Sequence, residues 1–245
     1  MDQGIYTAAS GAIAMEERLS IISNNLANVN TTGFKKDGIA FEKFLRILDT
    51  ENLYPGQYKN IPVDVMVGEY YIDTTEGSCK KTGNPLDAAI IGDGFFVVNT
   101  EEGQRYTRAG SFMLSTEGLL TTPQGHTVQG EGGDLSLGAG DIEIGSDGTV
   151  RLNGNIVDVL QVVHIEEGSL ERSANGLFKV KEGYAPLPVE SPVVSQGNIE
   201  TSNVDPVKEM VGLISTQRAY ESFQRVIKSF NDTYSQSIRN VGTLA

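Results

Sequence analysis

The first thirty residues carry apolar side chains at intervals that alternate between three and four positions. The recurring residues are Ala12, Met15, Leu19, Ile22, Leu26 and Val29, with Ile5 and Ala8 before them. Residues three and four apart share one face of an α-helix, so this spacing predicts a helix from about residue 3 to residue 30. Gly33 is expected to end it, because glycine accepts the left-handed conformation that stops a helix.

The end of the chain carries a similar pattern. Asp205 followed by Pro206 predicts a helix start, since aspartate caps free N–H groups and proline suits the first helical position. The apolar and aromatic residues that follow keep a heptad-like spacing to about residue 242. They are Met210, Leu213, Tyr220, Phe223, Ile227, Phe230, Tyr234 and Val241. The sequence therefore predicts two long terminal helices, packed antiparallel through stripes of the same kind.

Between the helices the hydrophobic period changes from helical to alternating. Short apolar runs are separated by glycine-containing turns such as Asp147-Gly148 and Asn153-Gly154. Such dipeptides between apolar runs are typical of β-hairpins. The predicted fold class is α+β, with paired, coiled-coil-like terminal helices and a mainly antiparallel β domain. The predicted domains are 1–33 with 203–245 (helical assembly domain), 34–75 (extended connection) and 76–202 (β-rich outer domain).

The distribution of charge separates the same parts of the chain. The net charge is −13, yet residues 1–48 carry five acids and five bases, and so do residues 200–245. All of the excess lies on residues 49–199, with 22 acids and 9 bases. An acidic protein is a poor match for nucleic acid or for an anionic membrane surface, which both need basic residues. Neutral termini predict packing among neighbours, and the acidic middle predicts a surface that faces solvent.

Residues for catalysis or for metal binding are scarce. The chain has two histidines, His126 and His164, both within predicted strands, and one cysteine, Cys79. Neither a zinc-ligand pattern nor a nucleophile or phosphate-loop motif occurs. Asp87 and Asp93 can be posed as a carboxylate pair, but nothing beside them completes an active site. The sequence predicts no catalytic residue, no metal ligand, no cofactor and no small-molecule substrate.

The terminal stripes predict assembly. Two helices beyond the end of a separate domain bury few side chains relative to the backbone entropy that their ordering costs. Such a pair therefore needs neighbouring molecules. An internal core is the competing interpretation of any apolar stripe at helical spacing.

Five ordered segments resemble signatures of one family. Residues 23–35 read SNNLANVNTTGFK, residues 87–97 read DAAIIGDGFFV and residues 106–112 read YTRAGSF. Near the end, residues 196–204 read QGNIETSNV and residues 217–221 read QRAYE. These segments closely resemble the motifs of bacterial flagellar rod and hook proteins, in which the second segment forms a strand pair. The similarity spans most of the chain.

The resemblance implies an axial subunit of the flagellar basal-body rod. The length and the opening residues 1–7 look most like proximal rod subunits, with distal rod subunits as the close alternative. The implied partners are further copies, neighbouring rod proteins and the flagellar export apparatus, through which the chain would leave the cytoplasm without a cleaved signal. Its terminal helices would line the inner tube of the rod that crosses the periplasm.

The residues predicted to form subunit interfaces combine the two stripes with asparagines of the first segment. They are Ile5, Ala12, Met15, Leu19, Ile22, Asn25, Leu26, Asn28, Val29, Leu213, Tyr220, Phe223, Ile227, Phe230 and Tyr234. The asparagines are expected to bond free backbone groups at the helix end. Two other functions remain open at this point, an enzyme like the wall-cutting domain of some rod proteins and a soluble binding module built on the β domain.

Overall fold

The computed structural model describes residues 2–45 and 63–242. Much of the predicted connecting segment 34–75 lies outside the described residues. The chain divides into two compact units. The terminal unit comprises Met1–Leu26, Asp37–Tyr71 and Pro206–Ala245, and the central unit comprises Ala27–Lys36 and Ile72–Asp205. Whether the predicted domains fold separately stays a prediction.

Both predicted terminal helices are present. Helix α1 runs over Asp2–Ala27 and helix α2 over Pro206–Gly242. Pro206 opens α2 as predicted, and Glu209 places negative charge in its first turn, near the positive end of the helix dipole. The class is α+β, with a largely antiparallel β structure between the two helices.

Helix α1 ends three residues earlier than the spacing predicts. After Ala27 the chain forms turns, in which the Thr31 N–H donates to the Asn28 carbonyl at 3.1 Å and the Thr31 hydroxyl donates to Asn28 Oδ1 at 3.1 Å. A backbone bond from an N–H to the carbonyl three residues earlier belongs to a tight turn and does not continue an α-helix. The predicted helical placement of Asn28 and Val29 is therefore wrong, although Gly33 has the expected left-handed φ of 66°.

The rest of the described chain contains nineteen strands, most of them short. They are β1 Asp37–Leu45, β2 Val63–Ile72, β3 Cys79–Lys81, β4 Ala88–Ile91, β5 Phe95–Thr100, β6 Gly103–Thr107, β7 Met113–Leu114, β8 Leu120–Thr121, β9 Thr127–Gly130, β10 Gly133–Asp134, β11 Ile142–Ile144, β12 Thr149–Leu152, β13 Asn155–Val159, β14 Val162–His164, β15 Leu170–Arg172, β16 Phe178–Val180, β17 Leu187–Pro188, β18 Val193–Gln196 and β19 Asn198–Glu200. A 3-10 turn covers Ala174–Gly176.

The largest sheet of the central unit has the order β15-β16-β6-β5-β9-β8-β7, with β14 also paired to β5. Strands β11, β12 and β13 form a second sheet, and the pairs β18-β4 and β19-β3 are separate. Strand β1 pairs with β2 in the terminal unit. The hairpin predicted at Asn153-Gly154 joins β12 to β13, and both turn residues have positive φ, 51° and 80°.

Strand β5 lies between the two hydrophobic clusters of the central unit. Phe96 and Val98 belong to the larger cluster, whereas Phe95 and Val97 belong to the smaller one. Successive side chains of a strand point to opposite faces, so a strand covered on both faces is apolar throughout. This explains the continuous run Phe95–Val98.

The strand pair expected at residues 87–97 is not formed. Strand β4 pairs with β18, whereas β5 pairs with β6, β9 and β14. The Gly92-Asp93-Gly94 turn therefore carries the chain from one sheet to another instead of closing a hairpin. Arg108 holds this turn, since its Nη2 donates to the Gly92 carbonyl at 2.6 Å.

Candidate assembly site

The residues predicted to form subunit interfaces are covered to different degrees. The fully buried ones are Ala12, Ile22 and Asn25. The remaining ones keep part of their surface, namely Ile5, Met15, Leu19, Leu26, Asn28, Val29, Leu213, Tyr220, Phe223, Ile227, Phe230 and Tyr234. The part of each stripe that the chain leaves uncovered is available for contact with another molecule. Their role between subunits stays a prediction.

Three close contacts join the stripes of α1 and α2. A Cβ placed on Gly11 would lie 2.6 Å from the Phe223 ring, and one on Gly4 would lie 2.9 Å from the Phe230 ring. Near the other end, a Cβ on Gly212 would lie 3.6 Å from Ile22 Cδ1. The two residue numbers in each pair add up to the same value, as expected for helices that run antiparallel. The small residues of α1 thus admit the aromatic rings of α2.

Asn25 makes a reciprocal pair of hydrogen bonds with the start of β1. Its Nδ2 donates to the Asp37 carbonyl at 2.9 Å, and its Oδ1 accepts from the Asp37 N–H at 2.9 Å. Both bonds lie within the terminal unit. The expectation that this asparagine serves the helix end is therefore wrong, because its amide satisfies the backbone of a strand twelve residues later. Sequence spacing does not specify that distant partner.

A second group of polar residues is buried in the central unit. Lys35 Nζ lies 2.7 Å from Glu200 Oε1 and donates to the Thr75 carbonyl at 2.6 Å. Arg108 Nη1 lies 3.4 Å from Glu200 Oε2 and donates to the Ile90 carbonyl at 3.3 Å. We call Lys35, Arg108 and Glu200 the charged cluster. Two cations share one carboxylate there, and all three side chains are almost completely buried.

Burial dominates the electrostatics of the charged cluster. It lowers the pKa of Lys35, against the hydrogen bond and the charge of Glu200, which favour the ammonium form. Burial also lowers the pKa of Arg108, again opposed by Glu200. Among the described residues, Arg108 Nε and Glu200 Oε2 are buried with no hydrogen-bond partner. Removing Glu200 would leave two buried cations without their anion.

The side-chain amide of Asn203 makes hydrogen bonds beside the charged cluster. Its Oδ1 accepts from the Lys36 N–H at 2.8 Å, and its Nδ2 donates to the carbonyls of Asp73 at 2.9 Å and of Thr75 at 3.1 Å. Segments of the central unit that are far apart in sequence are thus tied together.

Family models match three separate parts of the chain. The model described as "Flagella basal body rod protein" matches residues 5–35. The model described as "Flagellar hook protein FlgE/F/G D1 domain" matches residues 89–152. The model described as "Flagellar basal body rod FlgEFG protein C-terminal" matches residues 195–240.

Curated relatives match over nearly their full length. A flagellar basal-body rod protein FlgF from Mesorhizobium japonicum is 31% identical over 253 residues, which cover 99% of this chain and 99% of the relative. The FlgF of Caulobacter vibrioides is 32% identical with complete coverage of both chains. The FlgG of the same bacterium is 34% identical over 93% of this chain and 95% of the relative. This chain belongs to the flagellar basal-body rod protein family. The family expected from the motifs is confirmed.

As a member of the rod protein family, the chain is a structural subunit of the flagellar basal-body rod, and the basal body is its location. Each of the three matched segments supplies one residue of the charged cluster. Lys35 ends the first segment, Arg108 lies in the second and Glu200 lies in the third. All three residues lie within the motifs quoted from the sequence. Their opposite charges were the available signal, and their pairing required the fold.

The residues considered for chemistry are held by different strands and turns of this rod protein. His164 is exposed at the end of β14, as predicted, and Cys79 is exposed on β3. His126 is half-buried in the turn before β9, where the Thr122 N–H donates to its carbonyl at 2.8 Å, so its predicted place in a strand is wrong. Asp87 accepts hydrogen bonds from Thr82 and Asn84 in a local turn.

The described residues include neither a metal-ligand cluster nor a membrane-spanning helix. No group of three or more histidine, cysteine or acidic side chains there is placed to hold a metal ion. In the same part of the chain, neither helix is long and apolar enough to cross a membrane. The members of the rod family are structural proteins, in agreement with the motifs of the sequence.

Replacing Gly33 with alanine is expected to destabilise the central unit by about 2–4 kcal/mol. A side chain costs about 1–2 kcal/mol in the left-handed conformation, and a Cβ at Gly33 would collide with the backbone at Arg108 and Ala109. Gly83→Ala is the matched control, because Gly83 has a similar φ of 77° with nothing within 4 Å of a Cβ. Hydrogen exchange of the β5 amides measures the loss of stability in each variant. Equal losses for Gly33→Ala and Gly83→Ala would contradict the expected collision.

Proposed function

We propose that this subunit polymerises through its terminal helices to help form the drive shaft between the flagellar motor and the hook. The observation that carries the proposal is the partial exposure of the terminal stripes. Phe223 and Phe230 contact α1 within the chain, yet each keeps part of its ring surface free. Apolar surface that remains uncovered along a helix favours association with a neighbour.

Coiled-coil-like pairing of α1 with α2 is part of the proposal. The heptad-like spacing of both stripes supports it, as do the three antiparallel contacts between small residues and large side chains. Such a pair presents a rigid surface to the next subunit. The terminal interface residues, from Ile5 to Tyr234, then form contacts within the pair on one side and between subunits on the other.

The partners in this proposal are other copies of the chain, neighbouring rod proteins and the flagellar export apparatus. We place the subunit in the proximal rod, with the distal rod as the alternative, because its length and its opening residues resemble proximal subunits most. The charge pattern supports neutral termini packed inside the rod and an acidic central unit facing solvent outside. Export without a cleaved signal follows from the same family resemblance.

An experiment on the assembled flagellum tests this structural function. A motile bacterium lacking its own copy of the protein is expected to swim and to form complete rods when it carries this chain, but not when it carries an empty vector. A variant with alanine at His126, His164 and Cys79 is expected to restore swimming equally well, because no chemistry depends on these residues. Motility and electron microscopy of purified basal bodies are the measurements. Loss of swimming in a stably folded triple variant would point to chemistry instead.

A further inference from the structure

Helix α2 carries a second apolar surface in its first turns. Val207 is 64% exposed, Met210 is 46% exposed, Val211 is 63% exposed and Ile214 is 53% exposed. We call these four residues the outer α2 patch. At about 100° per residue, the patch is centred roughly 160° around the helix from the residues that contact α1, namely Gly212, Phe223 and Phe230. It therefore faces away from the helix pair.

The spacing of the outer α2 patch has a specific shape. Its members occupy positions i, i+3, i+4 and i+7 of the helix. Four residues with this spacing surround the depression into which a side chain of a facing helix inserts in knobs-into-holes packing. The patch then ends, because Gln217 and Arg218 continue the helix as exposed polar residues. The patch therefore matches a short apolar segment of another helix.

Helix α1 carries such a segment on its own outer side. Tyr6 is 69% exposed and Ile13 is 58% exposed. We call these two residues the outer α1 patch. They are seven positions apart, the same length as the outer α2 patch, and they also lie roughly 160° around the helix from the residues that contact the other helix. Large side chains two turns apart are suited to fill depressions on a facing helix.

The two outer patches cannot cover each other within one chain. Gly4 of α1 contacts Phe230 near the end of α2, whereas Gly212 near the start of α2 contacts Ile22. The outer α1 patch thus lies at one end of the helix pair and the outer α2 patch at the other end. Both patches point away from the pair, and their side chains are largely exposed.

We propose that the outer α1 patch of one copy docks on the outer α2 patch of the next copy. This inference rests on the proposed function and names the contact that extends the assembly. Because the two patches are different surfaces, the contact is heterologous, and a growing assembly presents one unoccupied patch at each of its two ends. Repeating such a contact without closure builds an open helical polymer rather than a dimer.

The antiparallel order of α1 and α2 fixes how the patches meet. If all copies point in the same direction along the rod, α1 of one copy runs antiparallel to α2 of the next. Tyr6 then lies opposite Ile214, and Ile13 lies opposite Val207. Relative to the pairing within one chain, the neighbour is displaced along the helix by about 14 residues, or about 21 Å.

Disulfide cross-linking between subunits tests the proposal. Cys79 is the only cysteine, so Cys79→Ser provides a background without thiols. In this Cys79→Ser background, combining Tyr6→Cys with Ile214→Cys gives each chain two thiols, one on the outer α1 patch and one on the outer α2 patch. Oxidised basal bodies from motile cells are expected to show a ladder of dimers, trimers and longer products. Facing helices bring opposed Cα atoms close to the 4.4–6.8 Å that a disulfide needs. A second pair in the same register, Ile13→Cys with Val207→Cys, is expected to give the same ladder.

The control moves one thiol by a single residue. Tyr6→Cys combined with Ser215→Cys turns the α2 thiol by about 100° away from the patch, so its cross-linked products are expected to fall at least tenfold. Each single-cysteine variant is expected to stay monomeric. Dimers from a single variant would indicate a symmetric contact and overturn the proposal.

If cells carrying either cysteine pair swim but neither pair forms cross-links, the proposed docking is wrong. The proposed function would then still stand. If the cysteine variants cross-link only to a different rod protein, the partner that docks on the patch is that protein and not a second copy of this chain. Failure of the Cys79→Ser parent itself to form rods would contradict the proposed function instead. The parent therefore separates the two claims.

Discussion

Replacing Glu200 with glutamine is expected to lower the free energy of unfolding of the central unit by about 3–5 kcal/mol. Glutamine has nearly the same size and keeps an oxygen for the Gly77 N–H, which donates to Glu200 Oε1 at 2.8 Å. It removes the only negative charge of the charged cluster. Lys35 and Arg108 then remain as buried like charges without an anion between them. Hydrogen exchange of the β5 and β6 amides measures the loss.

An exposed ion pair provides the control for this substitution. Glu102 Oε2 lies 3.0 Å from Arg105 Nη2, but the Glu102 side chain is 79% exposed. Water and salt screen such a pair, so Glu102→Gln is expected to cost less than about 1 kcal/mol. If Glu200→Gln lowers the free energy of unfolding no more than Glu102→Gln does, burial does not make the charged cluster important for stability.

A double variant tests whether the charged cluster acts as a unit. Lys35→Met removes one buried cation, so adding it to Glu200→Gln leaves a single unpaired charge instead of two. The combined loss is expected to fall short of the sum of the single losses by about 1–3 kcal/mol. Additive losses would mean that Lys35 and Glu200 contribute independently.

Replacing Phe223 with aspartate is expected to abolish rod formation and swimming. The Phe223 ring fills the space beside Gly11, and an aspartate there would place an unpaired charge among apolar side chains. Because every subunit carries the same change, the defect recurs throughout the polymer. Leu26→Asp, in the stripe of α1, is expected to have the same effect. Motility and electron microscopy of basal bodies are the measurements.

Ser222→Asp is the matched control, because it introduces the same residue one position earlier at an exposed site of α2. It is expected to leave swimming near the wild-type level. In both variants the β5 amides of the central unit are expected to keep their protection against exchange, since the hydrophobic clusters there contain no residue of α2. Complete rods from Phe223→Asp would mean that the stripes do not carry assembly.

The sequence by itself determined the two helices and the change of period between them. Side-chain spacing is a local property, and the stripe from Ala12 to Leu26 specifies one face of a helix wherever the chain lies. Turn chemistry is local as well, so Asn153-Gly154 predicted its hairpin correctly. The family followed from ordered motifs, and near full-length relatives confirm it.

Pairing between strands was decided by the tertiary structure. The segment around Gly92-Asp93-Gly94 was expected to form a strand pair, but β4 pairs with β18, which follows about a hundred residues later. Competition among distant strands settles such choices, because strands of similar composition offer similar hydrogen bonds. The end of α1 at Ala27 was likewise missed, because the chain after it forms turns in which the Thr31 N–H donates to the Asn28 carbonyl.

The charged cluster depended most completely on the fold. Lys35 and Glu200 are 165 positions apart, and Arg108 lies in the segment between them. No periodicity or local motif specifies that three charged side chains, each normally solvent-exposed, will meet away from water. Folding removes them from water together, and only their mutual attraction and the surrounding carbonyl groups make that burial tolerable. The sequence thus determined the helices that this rod protein offers to its neighbours, and the tertiary structure decided how its distant motifs are held together.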